Sequence, residues 1–217
     1  AGQTITFTYS DAATLPAVAP RAGLVIRLTD AFGRELNLTY DASARVSTVT
    51  DPQGLIYSYS YGANDALSTV QAPLSTGATT RRYFYNETAR INGGAACTNP
   101  LRPTTHALTG IEDESAVRFA TYSYDCRVRA TATEHAGGVE RNSFTYNVDG
   151  AGVPISTTIT DPLNTVRTRS FTTTLGVPRG MNATEPCTTA GCSGTASQLF
   201  TRDASGNIAS QNDYNGN

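Results

Sequence analysis

Hydrophobic and polar positions alternate along most of this chain. Ile5, Phe7 and Tyr9 occupy every second position, as do Leu36, Leu38 and Tyr40, then Tyr57, Tyr59 and Tyr61, and later Phe144, Tyr146 and Val148. A spacing of two places side chains on one face of a strand. No long segment carries an apolar stripe at the helical period. The best helical candidate, residues 113–136, sets Val117 and Phe119 on one phase and Tyr122 and Tyr124 on the other, so it predicts a strand with a bulge. The pattern as a whole predicts an all-β chain of short strands.

Turn signals of two kinds separate the strands. Asp51-Pro52-Gln53-Gly54 and Asp161-Pro162-Leu163-Asn164 suit a type I turn, in which Asp accepts from backbone N–H groups, Pro pre-sets φ, and Gly or Asn tolerates the last position. The segments beginning at Asp30 and Asp113 read as worn copies. A second kind follows tyrosine or precedes glycine, at Tyr40-Asp41, Tyr124-Asp125 and Asp149-Gly150. Two stretches read as loop-rich insertions, one near 91–108 with Gly93-Gly94 and Asn99-Pro100, the other near 176–197 with Pro178 and Pro186.

The spacings form a period. Asp30 to Asp51 is 21 residues, Tyr40 to Tyr61 is 21, Tyr61 to Tyr85 is 24 and Tyr124 to Tyr146 is 22, while Tyr85 to Tyr124 is 39 and leaves room for a degenerate unit. A period in the twenties signals units that bury their apolar face only against neighbours. The whole of 1–217 therefore reads as a single repeat segment, and the Asn-Gly-Asn end reads as a piece of something longer.

Composition sharpens this picture. The 217 residues include 34 threonines and 11 tyrosines, which favour strands, and no tryptophan. All 16 basic residues are arginine against 18 acidic ones, a balance that argues against electrostatic nucleic-acid binding. No run approaches 18 apolar residues, so no membrane-spanning helix is expected.

The combination of turns and tyrosines resembles the rearrangement-hotspot (RHS) or YD-repeat family. Tyr40-Asp41, Arg45-Val46, Val49-Thr50-Asp51-Pro52-Gln53-Gly54 and Tyr59-Ser60-Tyr61 follow the family's unit nearly throughout, as do residues 108–125. Residues 203–217 are similar, with Arg202 where the family has tyrosine. Departures are Ala44 for the turn glycine, Gly62 where an aspartate would follow Tyr61, and Asn164 for glycine. The resemblance implies antiparallel β-hairpin repeats forming a curved sheet, a strip of a β-spiral shell. It also implies a non-enzymatic structural role in an exported bacterial toxin, secreted or on the cell surface, whose shell encloses a C-terminal toxin domain. The implied partners are adjoining repeats and that enclosed domain, and strand edges left unpaired would promote self-association. No cofactor is implied.

Candidate chemistry is sparse. The family's known activity is self-cleavage at an Asp-Pro-x-Gly-Leu motif, which Asp51-Pro52-Gln53-Gly54-Leu55 matches. Here an ordinary tyrosine strand follows at once, so the turn reading is preferred. His106 and His135 lie in no nucleophile motif and read as solvated loop residues. Two histidines without a Cys-x-x-Cys argue against a structural zinc site. The four cysteines allow three pairings: Cys187 with Cys192 in a small loop and Cys97 with Cys126 is one, and free thiols are the alternative. A glycan- or receptor-binding surface built on Tyr57, Tyr59, Tyr61, Tyr122 and Tyr124 is a second function class, set against cross-strand packing of the same rings.

Overall fold

The computed structural model describes residues 4–74, 77–98, 102–174, 176–186 and 194–214. The chain divides into two compact units: Ala1–Glu87 with Thr105–Phe119, and Thr88–Thr104 with Ala120–Asn217.

The first unit holds β1 (Thr6–Tyr9), β2 (Val25–Thr29), β3 (Glu35–Tyr40), β4 (Val46–Thr50), β5 (Ile56–Tyr61), β6 (Leu67–Leu74), β7 (Gly77–Tyr85) and β8 (Leu108–Glu112). Each pairs antiparallel with the next. Strand β9 (Arg118–Tyr124) enters the second unit at Ala120, and β10 (Ala130–His135), β11 (Asn142–Val148), β12 (Pro154–Thr160), β13 (Val166–Thr174), β14 (Val177–Pro186), β15 (Thr195–Arg202) and β16 (Ile208–Asn212) follow. Here too every strand pairs antiparallel with its successor. Strand order within each unit is chain order, which is what short hairpin connections produce.

Register sorts the two faces. In the first unit Phe7, Leu28 and Leu36 lie side by side, then Leu38, Val49 and Tyr57, then Tyr59 and Val70. The other face carries Asn37, Thr50, Thr48, Ser58, Gln71 and Thr80 in the same way. Hydroxyls ladder across it, Thr39 to Thr48 at 2.7 Å and to Ser47 at 2.8 Å. In the second unit Phe144 pairs with Ile159 on one face and Thr145, Thr158 and Thr168 align on the other, with Thr158 and Thr168 hydroxyls 3.3 Å apart. Threonines thus form cross-strand ladders on one face in both units.

The buried apolar residues are small: Ala19, Ala107, Ala120, Ala132 and Ala183, with Ile91 the one larger side chain among them. Phe7, Leu36 and Phe119 stay 50%, 38% and 47% exposed. Helical turns among the described residues are three residues long, so no helix covers either face. Cross-strand pairs, each contributing roughly 0.2–1 kcal/mol, and the turns themselves carry the stabilisation.

Two expectations need correction. Residues 113–136 are not one bulged strand but β9 and β10 joined by a turn at Asp125, with the irregularity at Ala130/Ala132. The stretch near 176–197 is not all loop, because Val177–Pro186 forms a ten-residue strand. Its prolines sit at the second and last positions, where a missing N–H costs the ladder least. The rest of that stretch, residues 187–193 with Cys187 and Cys192, lies outside the described residues. Among the described residues of the stretch near 91–108, short helical turns at Asn92–Gly94 and Thr104–His106 precede β8, which begins at Leu108.

Candidate functional site

The structure reduces the two expected turn kinds to one. Eight turns among the described residues open on an aspartate: Asp30, Asp41, Asp51, Asp113, Asp125, Asp149, Asp161 and Asp203. In each the aspartate N–H donates to the carbonyl four residues on, and the N–H three residues on donates back to the aspartate carbonyl. This is a three-residue hairpin loop, a type I turn followed by a left-handed residue. The aspartate Oδ1 then accepts backbone N–H groups two and four residues on, at 2.8–3.1 Å, in seven of them, and from Asn207 at 2.9 Å in the last. A short side chain with one acceptor oxygen reaches both donors, and the second carboxylate oxygen of Asp stays free for another partner. Asp51-Pro52-Gln53-Gly54, Asp161-Pro162 and the Tyr40-Asp41 and Tyr124-Asp125 turns all share this geometry.

The left-handed position is Gly33, Gly54, Gly152 or Gly206 in four turns, and Ala44, Ala116, Val128 or Asn164 in the others, at φ between 59° and 83°. Val128, at 60°, is the strained member, since a β-branched side chain there crowds the backbone.

Arginine completes the motif. At Arg45 the guanidinium donates Nε to Asp41 Oδ2 at 2.8 Å and lies 4.4 Å from the Tyr61 ring centroid. Tyr61 in turn donates its hydroxyl to the Val46 carbonyl at 2.9 Å. The second unit repeats this: Arg129 Nε to Asp125 Oδ2 at 2.6 Å, Arg129 4.7 Å from the Tyr146 centroid, and Tyr146 hydroxyl to the Ala130 carbonyl at 2.7 Å. Each acid–arginine–tyrosine clamp ties a turn to the far end of the following hairpin. Tyr40 makes the same hydroxyl bond to the Val25 carbonyl at 2.7 Å.

A third clamp is built from other residues. Arg118 donates Nη1 and Nη2 to the two Glu87 oxygens at 3.1 and 2.6 Å, donates Nη2 to the Thr109 carbonyl at 2.8 Å, and lies 4.8 Å from the Phe84 centroid. Fully buried Thr109 donates its hydroxyl to Glu87 at 2.7 Å. A Cβ at Gly110 would overlap the Arg118 guanidinium, so a side chain there would displace it from this position. This glutamate–arginine–phenylalanine version occupies the long Tyr85–Tyr124 interval.

Charges and burial tune these groups consistently. The Arg45 side chain, then its backbone N–H, holds the Asp41 carboxyl below its ordinary range, and Asp41 holds Arg45 above its own. Backbone N–H donors do most to lower Asp30, Asp161 and Asp203. Burial raises Tyr40, Tyr61, Tyr85, Tyr124 and Tyr146. Where Gly62 replaces aspartate, the turn keeps the Gly62 N–H to Ala66 carbonyl bond, and the exposed Asp65 gives Arg45 a second carboxylate at 2.6 Å.

Of the tyrosines weighed as a glycan surface, Tyr57, Tyr59 and Tyr61 share one face, but Tyr61 is engaged at both ring and hydroxyl; Tyr122 and Tyr124 lie half-buried in β9. The histidines are exposed yet partnered, His106 Nε2 lying 3.0 Å from the Asn64 carbonyl and His135 Nε2 3.3 Å from Glu140. Cys97 and Cys126 form a disulfide, with Cα atoms 5.3 Å apart. Among the described residues no group of three or more His, Cys, Asp or Glu side chains is placed to hold a metal, and no helix is long and apolar enough to cross a membrane. The clamps were missed from sequence because arginine and tyrosine sit 16 or 17 residues apart; the available signal was arginine four residues after Asp41 and Asp125.

Residues 21–54 match the family model described as RHS Repeat. No curated protein matches the chain. Among solved structures it is similar to the crystal structure of TcdB2-TccC3-TEV (TM-score 0.46, 11% identity, 84% of this chain and 10% of that one). It is also similar to TcdB2-TccC3 without its hypervariable C-terminal region (0.36, 12%, 86% and 13%). A third likeness is to the Photorhabdus luminescens Tc holotoxin pore with a TccC3 mutation (0.35, 13%, 87% and 13%). The chain spans about a tenth of the length of those chains. The matched stretch covers the Asp30, Asp41 and Asp51 turns, and the same turn recurs through both units: residues 21–54 of the chain carry an RHS repeat.

Proposed function

We propose that this chain is a non-enzymatic length of RHS wall from an exported bacterial toxin, and that the wall encloses a C-terminal toxin domain of the same polypeptide. The observation that carries this reading is the Asp turn, repeated eight times among the described residues with strands laid down in chain order within each unit. Such units add to one another indefinitely, which suits a wall and needs no ligand. The carboxylates that could do acid–base work are spent on backbone N–H groups and arginine; Asp51 Oδ1 accepts from Gln53 and Leu55, both at 2.9 Å. Adjoining repeats are the natural partners.

Native protease digestion of the full-length parent polypeptide tests the reading. The region C-terminal to the wall resists cleavage in the wild type and becomes sensitive when Asp125→Ala and Arg129→Ala together open one clamp. A C-terminal region cut freely in the intact parent contradicts enclosure.

A further inference from the structure

The segment between β7 and β8 leaves the first unit at Thr88, packs with the second, and re-enters the first at Thr105. Its holding points in the second unit are few. Ile91 is 7% exposed and bridges Tyr124 as a short parallel pair, and Arg90 lies 3.6 Å from Glu134. Beyond Ile91 the backbone forms tight turns: Gly94 N–H donates to Ile91, Ala95 N–H to Asn92, and the Asn92 side-chain amide to Ala95. Among the described residues, the hydrogen bonds of 92–98 all close within 91–95. What joins this stretch to the strands is therefore covalent: the Cys97–Cys126 disulfide, fastened to the first loop position of the Asp125 turn.

Strands β9 and β10 do not depend on that link. They pair with each other over five registered positions, and the Asp125 turn is closed by its own four hydrogen bonds and by Arg129. Both cysteines are half-buried, so a small reductant reaches them, whereas 92–96 is exposed.

We propose that Cys97–Cys126 is a reducible latch: in an oxidising compartment it pins residues 92–98 to the Asp125 turn, and a dithiol reductant releases them while the strands stay folded. In the exchange, one reductant thiolate bonds to a cysteine sulfur as the S–S bond breaks, and the other cysteine leaves as a thiolate and takes up a proton. The second reductant thiol then closes the reductant's own disulfide and frees the first cysteine. Two electrons and two protons pass to the protein, leaving two thiols. Ile91 is the hinge, because its burial survives the cut.

Hydrogen exchange with and without dithiothreitol, on the wild type and on the Cys97→Ser/Cys126→Ser variant, tests this. Reductant speeds exchange in wild-type peptides covering 92–98 by at least about tenfold and leaves β10–β12 unchanged. In the double variant 92–98 exchanges fast from the start and reductant adds nothing. Unchanged exchange at 92–98 in reduced wild type overturns the latch, as does loss of protection in β10–β12 at the same time. A reductant response that persists in the double variant also overturns it, by tracing the effect to other cysteines.

Discussion

Val128 holds a left-handed backbone at φ 60° in a turn where four homologous positions are glycine. Removing its side chain relieves a clash of about 1–2 kcal/mol, offset in part by the larger unfolded-state freedom of glycine. Val128→Gly should therefore raise stability by about 0.5–1 kcal/mol in chemical denaturation, and Gly54→Val should lower it; equal midpoints would remove strain from the account. At Asp41, Asn keeps one acceptor oxygen for the two backbone donors but loses the charge that Arg45 holds, and Ala loses both. The expected order of thermal midpoints is wild type, Asp41→Asn, Asp41→Ala. Because Asp30, Asp41, Asp161 and Asp203 titrate below their ordinary value, their contribution is complete above that value and disappears as pH falls through the lower folded-state one. The midpoint should accordingly fall below about pH 4. Tyrosines raised by burial act oppositely, with a contribution intact below about pH 10 and lost above it. A midpoint that is flat from pH 5 down to 2 would contradict these assignments.

At the scale of elements, the β2–β3 and β4–β5 hairpins are fixed at one end by the Asp30 or Asp51 turn and at the other by the hydroxyl of Tyr40 or Tyr61, and Tyr146 does the same for β10–β11, whose turn lies at residues 135–139. Tyr61→Phe and Tyr146→Phe each leave a carbonyl, at Val46 or Ala130, without its donor while keeping the ring under arginine. Each should cost about 1 kcal/mol, and no change in urea midpoint would show the hydroxyl bond to be idle. The strands and turns were legible because their signals are local: a period of two, and Asp three residues before a position that tolerates positive φ. The clamps were not, since Arg118 meets Glu87 across 31 residues of intervening chain. Nor was the matching of faces across strands, which depends on register: Leu38 lies beside Val49 and Thr39 beside Thr48 because β3 and β4 pair at those positions. Val177–Pro186 was hidden by Pro178, Gly180 and Pro186, whose strand-breaking signals tertiary pairing overrides.

Across the molecule, the terminal strands stand out. β1 and β16 are exposed at every position, and among the described strands each has a registered partner on one side, β2 and β15 respectively. Unpaired edges template association, so the isolated chain should show a mass that rises with concentration in light scattering. Lysine at Thr8 and at Ser210 should suppress the rise, and a constant monomer mass would count against exposed edges. The most direct test of the central claim is cryo-electron microscopy of the full-length parent polypeptide. The account predicts that these strands run on into flanking repeats through further Asp turns and that a separate C-terminal domain lies within the wall. A self-contained module here, with the C-terminal region outside it in solvent, would contradict it.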